Sequence, residues 1–111
     1  MSKFEECITT YLGEIKKSNL SVDEGFLRKV AKGLGPSIYL ADASKVSCSD
    51  QAELDRVATN YCSKKLGVTG PSVDAAIKEV CDAFGSSNRN KYRAIFYAMV
   101  CTKLGKESVY S

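Results

Sequence analysis

Eight apolar residues stand in an unbroken row at positions 94–101, "AIFYAMVC". On a helix of about 3.6 residues per turn they make more than two turns, so apolar side chains point in every direction. A surface helix confines its apolar residues to one stripe; this one has to be surrounded. The run is far below the roughly 20 residues that span a bilayer. The rest of the chain must therefore wrap it, which asks for several amphipathic segments elsewhere.

Those segments are present. Phe4, Ile8, Tyr11, Leu12 and Ile15 follow the three-and-four spacing of an amphipathic helix, with Glu5 and Glu6 early and Lys16 and Lys17 late, the order that a helix dipole favours. A second helix over residues 23–32 puts Phe26, Leu27, Val30 and Ala31 on one stripe behind Asp23 and Glu24, and Gly33 and Gly35 stop it. A third begins near Ser49 or Asp50, where Asp50 and Glu53 have capping-box spacing. It carries Leu54, Val57, Ala58, Tyr61, Cys62 and Leu66 and ends in "SKKLG". After the turn signal "GVTGPS", Val73, Ala76, Ile77, Val80, Cys81 and Phe84 mark a fourth helix, stopped by Gly85. The fifth opens at a Ser86–Ser87 cap, contains the apolar run and ends at Gly105. The fold expected is all-α: a compact bundle of about five helices in one domain over residues 1–111, with the C-terminal helix at its centre.

Between the second and third helices runs "GPSIYLADASKVSCS", where Gly35–Pro36 breaks the helix. Ile38, Tyr39, Leu40 and Val46 are too apolar for a freely solvated loop, so the connection is expected to pack on the core, with one helical turn or a short extended piece in "PSIYLA". "ESVYS" at the end could likewise be extended. The recurring endings "AKGLG", "SKKLG", "DAFG" and "TKLG" are shared helix-stop chemistry rather than an internal repeat.

Charge is uneven along the chain. Residues 1–55 hold seven Lys/Arg and nine Asp/Glu, while residues 56–111 hold nine and four, for a formal net charge of +3. The excess gathers where the fifth helix is expected to start, with Arg89, Lys91 and Arg93, and a helix start prefers anions. Two readings are open. The cations can lean on Asp82 and Glu79 at the end of the fourth helix, or Ser87, Asn88, Arg89, Lys91, Tyr92 and Arg93 can form a cradle for phosphate or nucleic acid, with Tyr92 stacking. No phosphate-loop or dinucleotide glycine motif accompanies them.

Catalytic chemistry has little to stand on. The chain has no histidine, so a serine or cysteine nucleophile lacks its usual base. The five cysteines, Cys7, Cys48, Cys62, Cys81 and Cys101, contain no C-x-x-C pair, which argues against a zinc or iron–sulfur site. Cys62, Cys81 and Cys101 read as buried thiols. Cys48, between Ser47 and Ser49 with Lys45 nearby, reads as a loose thiol that is packed or idle. No cofactor or metal is expected. The charged start "MSKFEECITT" has no secretory apolar run, so the expectation is a cytoplasmic protein without membrane attachment.

The strings "GPSIYLADASKVS" (35–47), "SKKLGV" (63–68), "SNRNKYRAIFYAMV" (87–100) and "GKESVY" (105–110) resemble a family of small bacterial proteins known as domain of unknown function 2853. The resemblance covers nearly the whole chain in the same order. It implies a compact, mostly helical domain that stands alone, and no activity, cofactor or catalytic residue. The residues themselves point to binding over catalysis. The leading expectation is a protein-interaction module, with an unknown protein or a second copy as partner and Ile38, Tyr39 and Leu40 as the contact. The alternative is nucleic-acid or phosphate-ligand binding at the cationic segment.

Overall fold

The computed structural model describes residues 3–39, 45–85, 88 and 91–110. Five helices form: α1 (Lys3–Lys17), α2 (Glu24–Leu34), α3 (Gln51–Arg56, continued by a widened stretch Val57–Ser63), α4 (Pro71–Phe84) and α5 (Arg93–Leu104). Short 3₁₀ turns cover Gly35–Tyr39 and Glu107–Tyr110. Both are segments where an extended piece was an alternative; among the described residues the only extended pairing is a single bridge between Lys45 and Tyr92.

The apolar run behaves as its composition demands. All eight residues from Ala94 to Cys101 are buried, and Ala94, Ile95, Phe96, Val100 and Cys101 have no exposed surface. The other helices lay their stripes on this rod: Ile8, Tyr11 and Ile15 from α1; Leu27, Val30 and Ala31 from α2; Val73, Ala76, Ile77, Val80 and Phe84 from α4. The Phe84 and Phe96 rings lie 6.2 Å apart and nearly parallel. Arg28 of α2 reaches Glu5 of α1 at 2.8 Å, and Lys103 of α5 reaches Glu79 of α4 at 3.1 Å.

Local signals set most helix ends. Asp23 caps α2, its carboxylate accepting from the Phe26 amide at 2.9 Å, and Gly35 ends it at φ +67°, a conformation that favours glycine. Asp50 caps α3 by accepting from the Ala52 amide at 3.0 Å. The capping-box expectation fails at its other half: Glu53 does not turn back to the cap but bonds Arg56 and Arg93, because a guanidinium is the stronger partner for a carboxylate. From Val57 to Ser63 the helix widens to five-residue closures, and the Leu66 amide reaches back to the Tyr61 carbonyl at 3.0 Å. Tyr61 thereby stacks on Tyr97 with ring centroids 3.9 Å apart and donates to the Tyr97 carbonyl at 3.0 Å. The last turn closes the same cluster, with the Tyr110 hydroxyl 2.8 Å from that of Tyr61.

One boundary is corrected. The fifth helix does not open at the Ser86–Ser87 cap but at Arg93, behind an extended Tyr92 (φ −58°, ψ 133°) that provides no side-chain cap. The cause is tertiary. The Val46 amide donates to the Lys91 carbonyl at 2.8 Å and Lys45 pairs with Tyr92, which draws the 91–92 backbone out of helical geometry. Ser86, Ser87, Arg89 and Asn90 lie outside the described residues.

Candidate functional site

The cationic segment faces inward wherever it is described. Asn88 donates to the Glu14 carboxylate at 3.3 Å and to the Ser18 hydroxyl at 3.2 Å. Lys91 is only 7% exposed and its ammonium donates to the Asn88 carbonyl. Arg93 contacts the Glu53 carboxylate at 2.7 Å, the Tyr97 hydroxyl at 2.8 Å and the Lys45 carbonyl at 3.3 Å. The anion that a cation-led helix start calls for is therefore supplied by α3. The expected partners on α4 play other parts: Glu79 pairs with Lys103 and Asp82 is exposed at the surface. Of the proposed cradle, Ser87 and Arg89 fall outside the described residues.

The Arg93–Glu53 pair has a measurable consequence. Burial pushes the Glu53 carboxyl up, but hydrogen bonds from Arg93 and Arg56 and their charges outweigh it and hold the group below its ordinary 4.5. A carboxyl more acidic in the folded state stabilises fully above that ordinary value, and the contribution drains away as pH falls through the lower folded value. Glu53→Gln should cost about 2 kcal/mol at pH 7, since it leaves Arg93 short of its charged partner. In urea unfolding the wild-type advantage should shrink as pH falls below 4.5; an advantage that persists at pH 2 would remove this account.

A different surface gathers polar groups around a cleft. One face of α1 presents Lys3, Glu6, Cys7, Thr10 and Tyr11 to a cleft of about 280 Å³ whose far side is Ile38, Tyr39 and Tyr92. The structure thus joins parts of the two separate expectations, the apolar turn and the cationic segment, in one place. Ile38 is buried at 5% exposure, so it belongs to the core wall, while Tyr39 is 43% exposed at the lip. Leu40 lies outside the described residues. Tyr92 leans on Tyr11 with centroids 5.1 Å apart, and the Lys45 ammonium stands 5.4 Å from the Tyr92 ring.

Tyr11 is the residue that sequence reasoning placed in the core without asking about its tip. It is 2% exposed, and among the described residues its hydroxyl is the one buried side-chain polar atom with no hydrogen-bond partner. Burial pushes its pKa up, with Cys7, Tyr92 and Tyr39 adding to the rise. The hydroxyl therefore stays protonated. The Cys7 thiol, one turn back, acts on it both electrostatically and as a weak hydrogen-bonding neighbour, without reaching the geometry of a full hydrogen bond. The available signal was the Cys7–Tyr11 pair, four apart on the edge of the α1 stripe. A second cleft, of about 290 Å³ between Ala58, Val68 and Val73, holds no such atom.

The cysteines depart from expectation at one pair. Cys62 and Cys101 are buried free thiols and Cys7 is half-buried, but Cys48 is not loose: it is bonded to Cys81, which is itself half-buried rather than fully enclosed. No group of three His, Cys, Asp or Glu among the described residues is placed to hold a metal. No described helix is long and apolar enough to cross a membrane.

The family model for "Protein of unknown function (DUF2853)" matches residues 10–108. The chain belongs to the DUF2853 family. None of the curated proteins matches it. Within this DUF2853 chain the matched region takes in Tyr11, Ile38, Tyr39, Tyr92 and the whole of α5, and it leaves out the first turns of α1 with Lys3, Glu6 and Cys7.

Proposed function

We propose that this protein is a non-catalytic recognition module that receives a side chain of a partner protein in the cleft between α1, the Gly35–Tyr39 turn and Tyr92. The observation that carries the reading is the Tyr11 hydroxyl, buried beside the cleft and, among the described residues, without a hydrogen bond of full geometry. Buried polar groups are satisfied in the great majority of cases, and one left open calls for an explanation. Tyr39, exposed at the lip, adds the amphipathic aromatic surface that contact sites favour. The protonated hydroxyl suits hydrogen bonding rather than proton transfer at neutral pH. Phosphate or nucleic-acid binding draws less support, since Lys91 and Arg93 are directed at internal acceptors.

A photo-crosslinking amino acid at Thr10, exposed on the cleft rim, tests this against one at Lys29, exposed on α2. The expected result is a discrete protein adduct from position 10 that disappears with Tyr39→Ala. Equal adducts from both positions, or an adduct indifferent to Tyr39→Ala, would overturn the reading.

A further inference from the structure

Resting on that reading for what the cleft receives, we propose that the Cys48–Cys81 bond is a redox switch. Closed, it holds Tyr92 in place as a wall of the cleft; opened by a dissolved thiol, it lets that wall go.

A short path of contacts runs from the bond to the wall. The bond joins α4 to the segment that precedes α3. On that segment Lys45 pairs with Tyr92, and the Val46 amide donates to the Lys91 carbonyl at 2.8 Å. The Lys45 carbonyl accepts from Arg93 at 3.3 Å, and the Lys45 ammonium stands 5.4 Å from the Tyr92 ring. Together these contacts keep the Tyr92 backbone extended, with its ring on Tyr11 across the cleft floor from Tyr39.

The local sequence asks for a different conformation. Neither glycine nor proline separates Lys91 and Tyr92 from α5, and both residue types accept helical geometry at small cost. The extended stretch is imposed from residues 45 and 46. Once the bond opens, that segment is held by the burial of Val46 and by hydrogen bonds of modest net worth. A local preference overridden by one tertiary contact is an element with two arrangements. In the second, Lys91 and Tyr92 join α5, and the turn of the backbone carries the Tyr92 ring off Tyr11.

The chemistry is thiol–disulfide exchange. Cys48 and Cys81 are both half-buried, whereas Cys62 and Cys101 have no exposed surface, and exposed disulfides are the labile, regulatory ones. A glutathione thiolate attacks one sulfur, the S–S bond breaks, and the other cysteine leaves as a thiolate that takes up a proton. A second glutathione thiolate attacks the glutathione sulfur of the mixed disulfide, which frees the remaining cysteine and gives oxidised glutathione. Two electrons pass to the protein; oxidised glutathione, acting in reverse, closes the bond.

The test exposes the full chain to reduced and then to oxidised glutathione. Alkylation after denaturation should count five thiols in the reduced form and three after reoxidation. By NMR, reduction should move the Tyr92 ¹³Cα signal to helical values and remove the Tyr92–Tyr11 ring contact, while the amides of Ala94–Cys101 stay dispersed. The crosslinked adduct from position 10 should fall about tenfold, an ordinary size for coupling between two sites. Cys48→Ser combined with Cys81→Ser should give the reduced spectrum and no longer respond to glutathione. A bond that glutathione leaves closed, a Tyr92 signal unmoved by its opening, a response that survives the double substitution, or loss of the dispersed spectrum in either form would overturn the switch. An equal adduct in both redox states sinks the switch and leaves the recognition module standing. No adduct in either state sinks the module, and the Tyr92 signal still decides the switch.

Discussion

Phe96→Ala should lower the free energy of unfolding by about 3–5 kcal/mol. Phe96 has no exposed surface and sits one turn into α5, stacked near Phe84, so truncation loses the ring's burial and leaves a cavity that helices on several sides cannot all collapse into. At roughly 4 °C per kcal/mol for a domain of this size, Tm should fall by about 12–20 °C. Tyr39→Ala provides the contrast: its ring is 43% exposed, and a surface change of that kind stays within about 0.5 kcal/mol. Urea unfolding of both variants, with unchanged slope, checks the pair. A cost below about 1 kcal/mol at Phe96 would mean that α5 is not enclosed, and a large cost at Tyr39 would mean that its ring serves the core rather than a partner.

Loss of the Cys48–Cys81 bond should cost nearly as much, about 3–4 kcal/mol. The two cysteines are 33 residues apart, and closing a loop of that length removes about this much entropy from the unfolded chain. The bond ties the segment around residues 45–48 to α4, and that segment pairs with 91–92, where Tyr92 forms a wall of the cleft. Reduction is therefore expected to lower the urea midpoint and to broaden the Tyr92 amide signal. Alkylation of the denatured, unreduced protein should modify three thiols, Cys7, Cys62 and Cys101, and all five after reduction. Five modified without reduction would show that the bond does not form, and Cys81→Ser would then leave stability nearly unchanged.

The helices were legible because their determinants are close together in the chain. Asp23, three residues before the amide it caps, and Gly35, whose backbone is left-handed where α2 stops, act within a turn or so of their own positions. The run at 94–101 announced its central place because no helix can hide eight apolar residues on one face. The start of α5 was misjudged for the opposite reason. The serines and asparagines before Arg93 look like a cap, but the pairing that holds Lys91 and Tyr92 extended comes from residues 45 and 46, and the carboxylate that answers Arg93 comes from Glu53, forty residues away. The candidate site was legible only in pieces. Ile38 and Tyr39 stood out as apolar residues in a loop and Tyr92 as an aromatic among cations, while Tyr11 was hidden inside a regular apolar stripe.

By itself, then, the amino-acid order determined an all-helical protein wound around its own C-terminal rod, since hydrophobic periodicity and end-capping act over three to five residues. Only the tertiary structure decided which carboxylate meets Arg93, which cysteines join, and that Tyr11, Tyr39 and Tyr92 share one cleft. Those outcomes depend on distances between helices, and no local pattern encodes the distance between residues that meet only after the chain has closed.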